Sequence, residues 1–80
     1  MKRVTVKWFA AYREATGTAA EAAETAAATA ADLFAEMMSR HRQLAAFSGA
    51  MVAINDEMVD WTSPLADGDQ VLFFPPVAGG

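Results

Sequence analysis

Residues 71–80, Val71-Leu72-Phe73-Phe74-Pro75-Pro76-Val77-Ala78-Gly79-Gly80, decide how the rest of the chain is read. Val71 to Phe74 is a β-branched and aromatic run, the composition of a short strand. Pro75-Pro76 stops it, because proline has no backbone N–H to give to a ladder. Val77 to Gly80 then follows as a tail. Just upstream, Ser63-Pro64 and Asp67-Gly68-Asp69 bracket Leu65 in a polar loop.

Further upstream the pattern alternates between strand and helix. Glu57 to Trp61 reads as a short strand. The Asn55-Asp56 turn joins it to a strand over Met51 to Asn55, with Val52 and Ile54 inward. Arg40 to Gly49 is a connector. A helix begins at Thr29, where Thr29 and Asp32 form a cap-like pair. Its apolar stripe is Leu33 and Met37 with Phe34 and Met38, and Glu36 and Arg40 stand at i, i+4 on the solvent side. Thr18 to Ala28 is dominated by alanine and threonine. Propensity favours helix there, the threonines interrupt it, and a weak strand remains an open alternative. Ala10 to Thr16 is helix-compatible and ends at Gly17. Val4 to Phe9 alternates as a half-buried strand, with Val4, Val6 and Trp8 on one side and Thr5, Lys7 and Phe9 on the other. The mixture predicts an α+β domain with one sheet covered by helices.

At 80 residues the chain has room for one domain, and its 54% hydrophobic content suffices for one core. Net charge is −4, and four of the six Lys and Arg residues precede residue 14. That distribution lacks the clustered basic surface of a nucleic-acid binder. No cysteine is present, which fits a reducing compartment. No apolar run approaches the roughly 20 residues that span a bilayer. Met1-Lys2-Arg3-Val4 leads into no apolar segment of a secretory signal, so a cytoplasmic protein is expected.

The usual catalytic constellations are missing. His41, between Arg40 and Arg42, reads as a surface residue. Gly17, Gly49 and Gly68 are isolated, so no phosphate-cradling loop forms. Ser39, Ser48 and Ser63 have no base nearby in sequence. Asp67 and Asp69 are explained by turn chemistry. No metal site is expected, and the chain does not read as a self-contained enzyme.

The chemistry is expected at the end of the chain. The prolines favour an extended tail, and at about 3.1 Å per residue the six residues from Pro75 reach roughly 20 Å beyond the sheet. Glycine has no side chain to clash inside a narrow channel on a partner. A carboxylate on Gly80 is a poor electrophile until a separate ATP-using enzyme converts it to an acyl-adenylate. Sulfur in place of the adenylate gives a thiocarboxylate, a good nucleophile near neutral pH. Strand parity adds a second signal. Phe9 falls on the solvent side of the first strand, Met58 opposite Val59 and Trp61, and Leu72 and Phe74 opposite Val71 and Phe73. Phe9, Met58 and Phe74 are therefore expected to form an exposed apolar patch near the tail.

These segments resemble the MoaD family, the small subunits of molybdopterin synthase, within the ubiquitin-like β-grasp (MoaD/ThiS) proteins. The resemblance rests on Lys7-Trp8-Phe9-Ala10 with Arg13-Glu14 and Gly17, and on Val52-Ala53-Ile54-Asn55. It continues through Pro64-Leu65-Ala66-Asp67-Gly68-Asp69-Gln70-Val71 to Phe73-Phe74-Pro75-Pro76-Val77-Ala78-Gly79-Gly80. It implies a β-grasp domain over 1–76, a mixed sheet of about five strands with helices packed on one face, and a flexible reactive tail over 77–80. It also implies that part of Thr18 to Ala28 is the second strand.

The implied function is sulfur carriage in molybdenum cofactor biosynthesis. A MoeB-type enzyme adenylates Gly80 with ATP, a sulfur source converts it to the thiocarboxylate, and a MoaE-type large subunit receives the tail in a heterotetramer. Sulfur then passes to cyclic pyranopterin monophosphate. Catalytic side chains belong to the large subunit, and no cofactor is permanently bound. The implied partner-binding residues are Phe9, Met58, Phe74, Pro75, Pro76, Val77, Ala78 and Gly79. A carrier for thiamine or cysteine biosynthesis, a ubiquitin-like protein modifier, and a plain interaction domain remain alternatives.

Overall fold

The computed structural model describes residues 1–46 and 49–75. Its elements are β1 (Lys2–Trp8), α1 (Ala11–Thr16), β2 (Ala20–Thr25), α2 (Ala30–Arg40), a 3-10 turn (Arg42–Ala46), β3 (Met51–Ile54), β4 (Glu57–Val59) and β5 (Gln70–Phe74). The five strands form one mixed sheet in the order β2-β1-β5-β3-β4. Only the central β1–β5 pair is parallel; the other pairings are antiparallel. The expected ubiquitin-like β-grasp architecture is therefore present.

Strand period sets the two faces. Val4, Val6 and Trp8 of β1, Val71 and Phe73 of β5, and Val52 and Ile54 of β3 turn inward. They pack against Tyr12 of α1 and Leu33 and Met37 of α2. Phe73 sits at the centre of the aromatic packing, touching Trp8, Phe34 and Trp61. Among the described residues, no helix packs on the opposite face.

The alanine-rich stretch is a strand, as the resemblance implied. Ala20–Thr25 pairs with β1 from Lys7–Ala20 to Lys2–Thr25. Alanine's helix preference amounts to only a few tenths of a kcal/mol per residue, and a row of ladder bonds against a buried strand outweighs it. Thr25 is the buried polar residue of this edge. Its hydroxyl bonds to the Glu36 carboxylate and accepts from the Ala27 N–H.

Helix α2 starts where the sequence placed it. Thr29 has extended backbone, and its hydroxyl accepts the Asp32 N–H at 3.2 Å. The expected Glu36–Arg40 pairing gives way to longer-range partners, with Glu36 on Thr25 and Arg40 on Glu21. The β3–β4 connection has φ of 51° at Asn55 and 69° at Asp56. This is the left-handed pair that a two-residue hairpin with native twist requires.

Strand β4 stops at Val59, earlier than the Trp61 expected from composition. The backbone beyond it is used elsewhere. The Trp61 carbonyl accepts the Ala31 N–H, the Ser63 carbonyl accepts the Ala30 N–H, and Thr29 bridges Pro64. The segment after β4 thus satisfies the free N–H groups at the start of α2 instead of extending the ladder. The Trp61 ring still faces the core, stacked on Phe73 with centroids 5.9 Å apart. Leu65, in the polar loop, is also buried.

Candidate functional site

The uncovered face of the sheet is apolar at one end. Met51 pairs with Phe74, and Ala53 lies between Met58 and Leu72. Register therefore puts Met51, Ala53, Met58, Leu72 and Phe74 on this face. Phe9 leaves β1 onto the same side and meets Phe74 with ring centroids 5.5 Å apart and planes at 62°. Phe9 is 54% exposed, Met58 56% and Met51 40%, and Phe74 is half-buried. Phe9 and Phe74 are thus in ring contact, and Met58 lies on the same face with Met51, Ala53 and Leu72 between. Met51 belongs to the apolar patch as well, and the inward setting of Val52 and Ile54 already implied that.

The turn that presents Phe9 is strained. Ala10 has φ 52° and ψ −123°, a region glycine occupies at little cost and alanine does not. The Phe9 carbonyl accepts the Tyr12 N–H, and the Ala10 carbonyl accepts the Arg13 N–H. These bonds start α1 and fix the point at which Phe9 leaves the sheet.

Strand β5 ends beside this patch. β5 runs parallel to β1, with Phe73 opposite Trp8, and delivers Pro75 at the Phe9 end of the sheet. Pro75 is half-buried. The remaining tail positions singled out in the sequence, Pro76, Val77, Ala78, Gly79 and Gly80, lie outside the described residues.

The other sequence candidates have structural work. The Asp67 carboxylate accepts the Arg3 N–H at 2.8 Å. The Asp69 carboxylate accepts the Ala66 N–H and the Asn55 side-chain amide. Gly68 between them has φ 88°. His41 is not the surface residue expected. Its Nε2 lies 2.7 Å from the Glu21 carboxylate, and its ring meets Trp8 edge-on. Glu21 also accepts Trp8 Nε1–H at 2.8 Å and the Arg40 guanidinium at 3.1 Å. Burial alone would raise the Glu21 carboxyl; the bonds from Trp8, His41 and Arg40 and the charge on His41 outweigh it and hold the group below its ordinary value. This hub fastens edge strand β2 to the end of α2 on the helix-covered side, across the sheet from Phe9. Among the described residues, no group of three or more His, Cys, Asp or Glu is placed to hold a metal ion. No helix among them is long and apolar enough to cross a membrane.

The sequence profile of the ThiS family matches residues 6–80. The chain belongs to the ThiS family. Among its relatives, the molybdopterin synthase sulfur carrier subunit of Escherichia coli strain K12 is 53% identical over 30 residues. That match spans 38% of this chain and 37% of the relative. The structure titled putative molybdopterin converting factor subunit 1 from Pyrococcus furiosus superposes with a TM-score of 0.85 at 32% identity, covering 96% of this chain and 100% of that one. SAMP1 of Haloferax volcanii, a small archaeal modifier protein, gives 0.81 at 26% identity over 98% and 99% of the two chains. The Helicobacter pylori complex of molybdopterin-converting factor subunits 1 and 2 gives 0.67 at 28% identity over 98% and 99%.

Proposed function

We propose that this chain is the sulfur carrier of a molybdopterin synthase, acting in the cytoplasm, with the Gly80 carboxylate as its reactive group. The observation that carries the proposal is the end of β5 at Phe74, with Pro75 following, beside the uncovered patch of Phe9, Met51, Met58 and Phe74. A patch of this kind holds a partner, while an extended tail carries the reacting atoms away from the patch and into that partner. Similarity to the E. coli sulfur carrier subunit and to subunit 1 of the H. pylori complex supports a large subunit as that partner.

In the proposed cycle, a Gly80 carboxylate oxygen attacks the α-phosphorus of ATP on a MoeB-type enzyme. Pyrophosphate leaves and an acyl-adenylate remains. A sulfur donor then displaces AMP to give the thiocarboxylate. The tail, from Pro75 through Pro76, Val77, Ala78 and Gly79, enters the MoaE-type large subunit, whose side chains catalyse sulfur transfer to cyclic pyranopterin monophosphate. The fold supplies docking and reach. The carrier holds no cofactor of its own, and ATP is consumed by the activating enzyme.

Reconstitution tests this. Thiocarboxylated protein with the large subunit converts the precursor to molybdopterin, and protein lacking Gly80 does not. The similarity to SAMP1 favours a second reading, attachment of Gly80 to lysines of other proteins. Conjugates of higher mass on immunoblots, formed without a large subunit, would select it.

A further inference from the structure

Among the described residues, the uncovered apolar end of the sheet holds one charged side chain, Lys7. Its Cα partners are Ala20 on β2 and Leu72 on β5. Strand parity puts it on the side of Thr5 and Phe9, away from Val6 and Trp8. Its neighbours along β1 are engaged within the chain. Lys2 donates to the Ala27 carbonyl at 2.8 Å, and Arg3 pairs with Glu24 at 2.8 Å. Lys7 is half-buried and, among the described residues, its ammonium has neither an ion pair nor a hydrogen bond. On its β2 side stand Ala20 and Ala22, both exposed and too small to fill the space that larger side chains occupy on β5 and β3.

A partner that covers Phe9, Phe74 and Met58 also covers Lys7. If it brought only apolar atoms, the ammonium would lose its water with nothing in return. We propose that the cognate partner sets a carboxylate on the Ala20–Ala22 shelf against Lys7, so that this pair fixes orientation and partner choice within an otherwise apolar contact. The inference rests on the docking face put forward above. The charge balance of the chain sharpens it. At net −4 the molecule as a whole attracts a basic partner, whereas Lys7 demands an acid at one place, a local exception that sets orientation. The required partner is therefore a protein whose docking surface is apolar around a single Asp or Glu.

Calorimetric titration of the MoaE-type large subunit with four carriers tests the pair: native, Phe9→Asp, Lys7→Met and Lys7→Arg. Lys7 is at a surface strand position, and unchanged thermal melts confirm that each variant folds. Phe9→Asp is expected to abolish measurable binding. Lys7→Met is expected to weaken binding about 30-fold, because it strands the partner's carboxylate in the contact, and to flatten the salt dependence. Lys7→Arg keeps the charge and is expected to stay within about fivefold of native. Lys7→Met binding as tightly as native or tighter, with Phe9→Asp still defective, overturns the carboxylate pair and leaves the docking face intact. Native affinity in Phe9→Asp overturns the docking face itself, and the pair with it.

Discussion

Glu21→Ala removes the one acceptor shared by three donors, and its cost follows from what each donor loses. Trp8 is buried, and its indole N–H would be left without a partner, costing about 1–3 kcal/mol. His41 is 18% exposed on its side chain and would lose a bond worth about 1 kcal/mol. Arg40 is half exposed, so its share is a few tenths of a kcal/mol, roughly what water and salt leave of a surface pair. The sum is about 2–4 kcal/mol, a fall in Tm of roughly 10–25 °C for a domain of this size. Urea denaturation followed by tryptophan fluorescence reads it, since Trp8 and Trp61 both pack in the core region. Arg40→Ala serves as the control and should cost less than about 1 kcal/mol. A Glu21→Ala protein within about 0.5 kcal/mol of native would refute the reasoning, because Trp8 would then have to be satisfied by some other group.

The same carboxylate gives a pH signature. Its folded-state value lies below the ordinary 4.5, so its stabilisation is present above that pH and is lost as pH falls through the folded value. The stability gap between native protein and Glu21→Gln should accordingly narrow on acidification below about pH 4.5, measured by denaturation at a series of pH values. Thr29→Ala should cost about 1 kcal/mol in urea denaturation through loss of the α2 cap. Ala10→Gly should stabilise the fold by about 1 kcal/mol, since glycine accepts φ 52° without the Cβ penalty, and a raised Tm checks it. Met58→Asp should leave Tm within a few degrees of native, because Met58 is 56% exposed, while binding of the large subunit measured by calorimetry is lost.

Much of this fold is written in local pattern. The alternation of Val4, Val6 and Trp8, the Thr29–Asp32 cap, the Asn55-Asp56 turn and the proline stop after Phe74 each carry their own physical signal, and each lies where that signal placed it. Ala20–Thr25 does not. Its residues prefer helix, and only the pairing with β1 makes them a strand, so the resemblance was needed to see it. That gap hid the Glu21 hub. Without β2 there is no reason to bring Glu21 to Trp8 and His41, residues 13 and 20 positions away. Sequence alone therefore puts His41 on the surface, whereas the fold sets it against Trp8 and Glu21. Parity suffices for the exposed apolar patch because it needs only short strands with one buried face. Lys7 sat in the same alternation, but its significance depends on two alanines across a strand that the sequence alone left open.

The carrier proposal turns on the chemistry of Gly80, and intact mass spectrometry reaches it most directly. The protein is incubated with ATP, a MoeB-type activating enzyme and a sulfur donor, beside a variant lacking Gly80. A mass gain equal to one oxygen replaced by sulfur, seen in the native chain and absent from the variant, is the predicted result. An unchanged native mass, with an activating enzyme that loads another carrier in parallel, would contradict sulfur carriage by this chain.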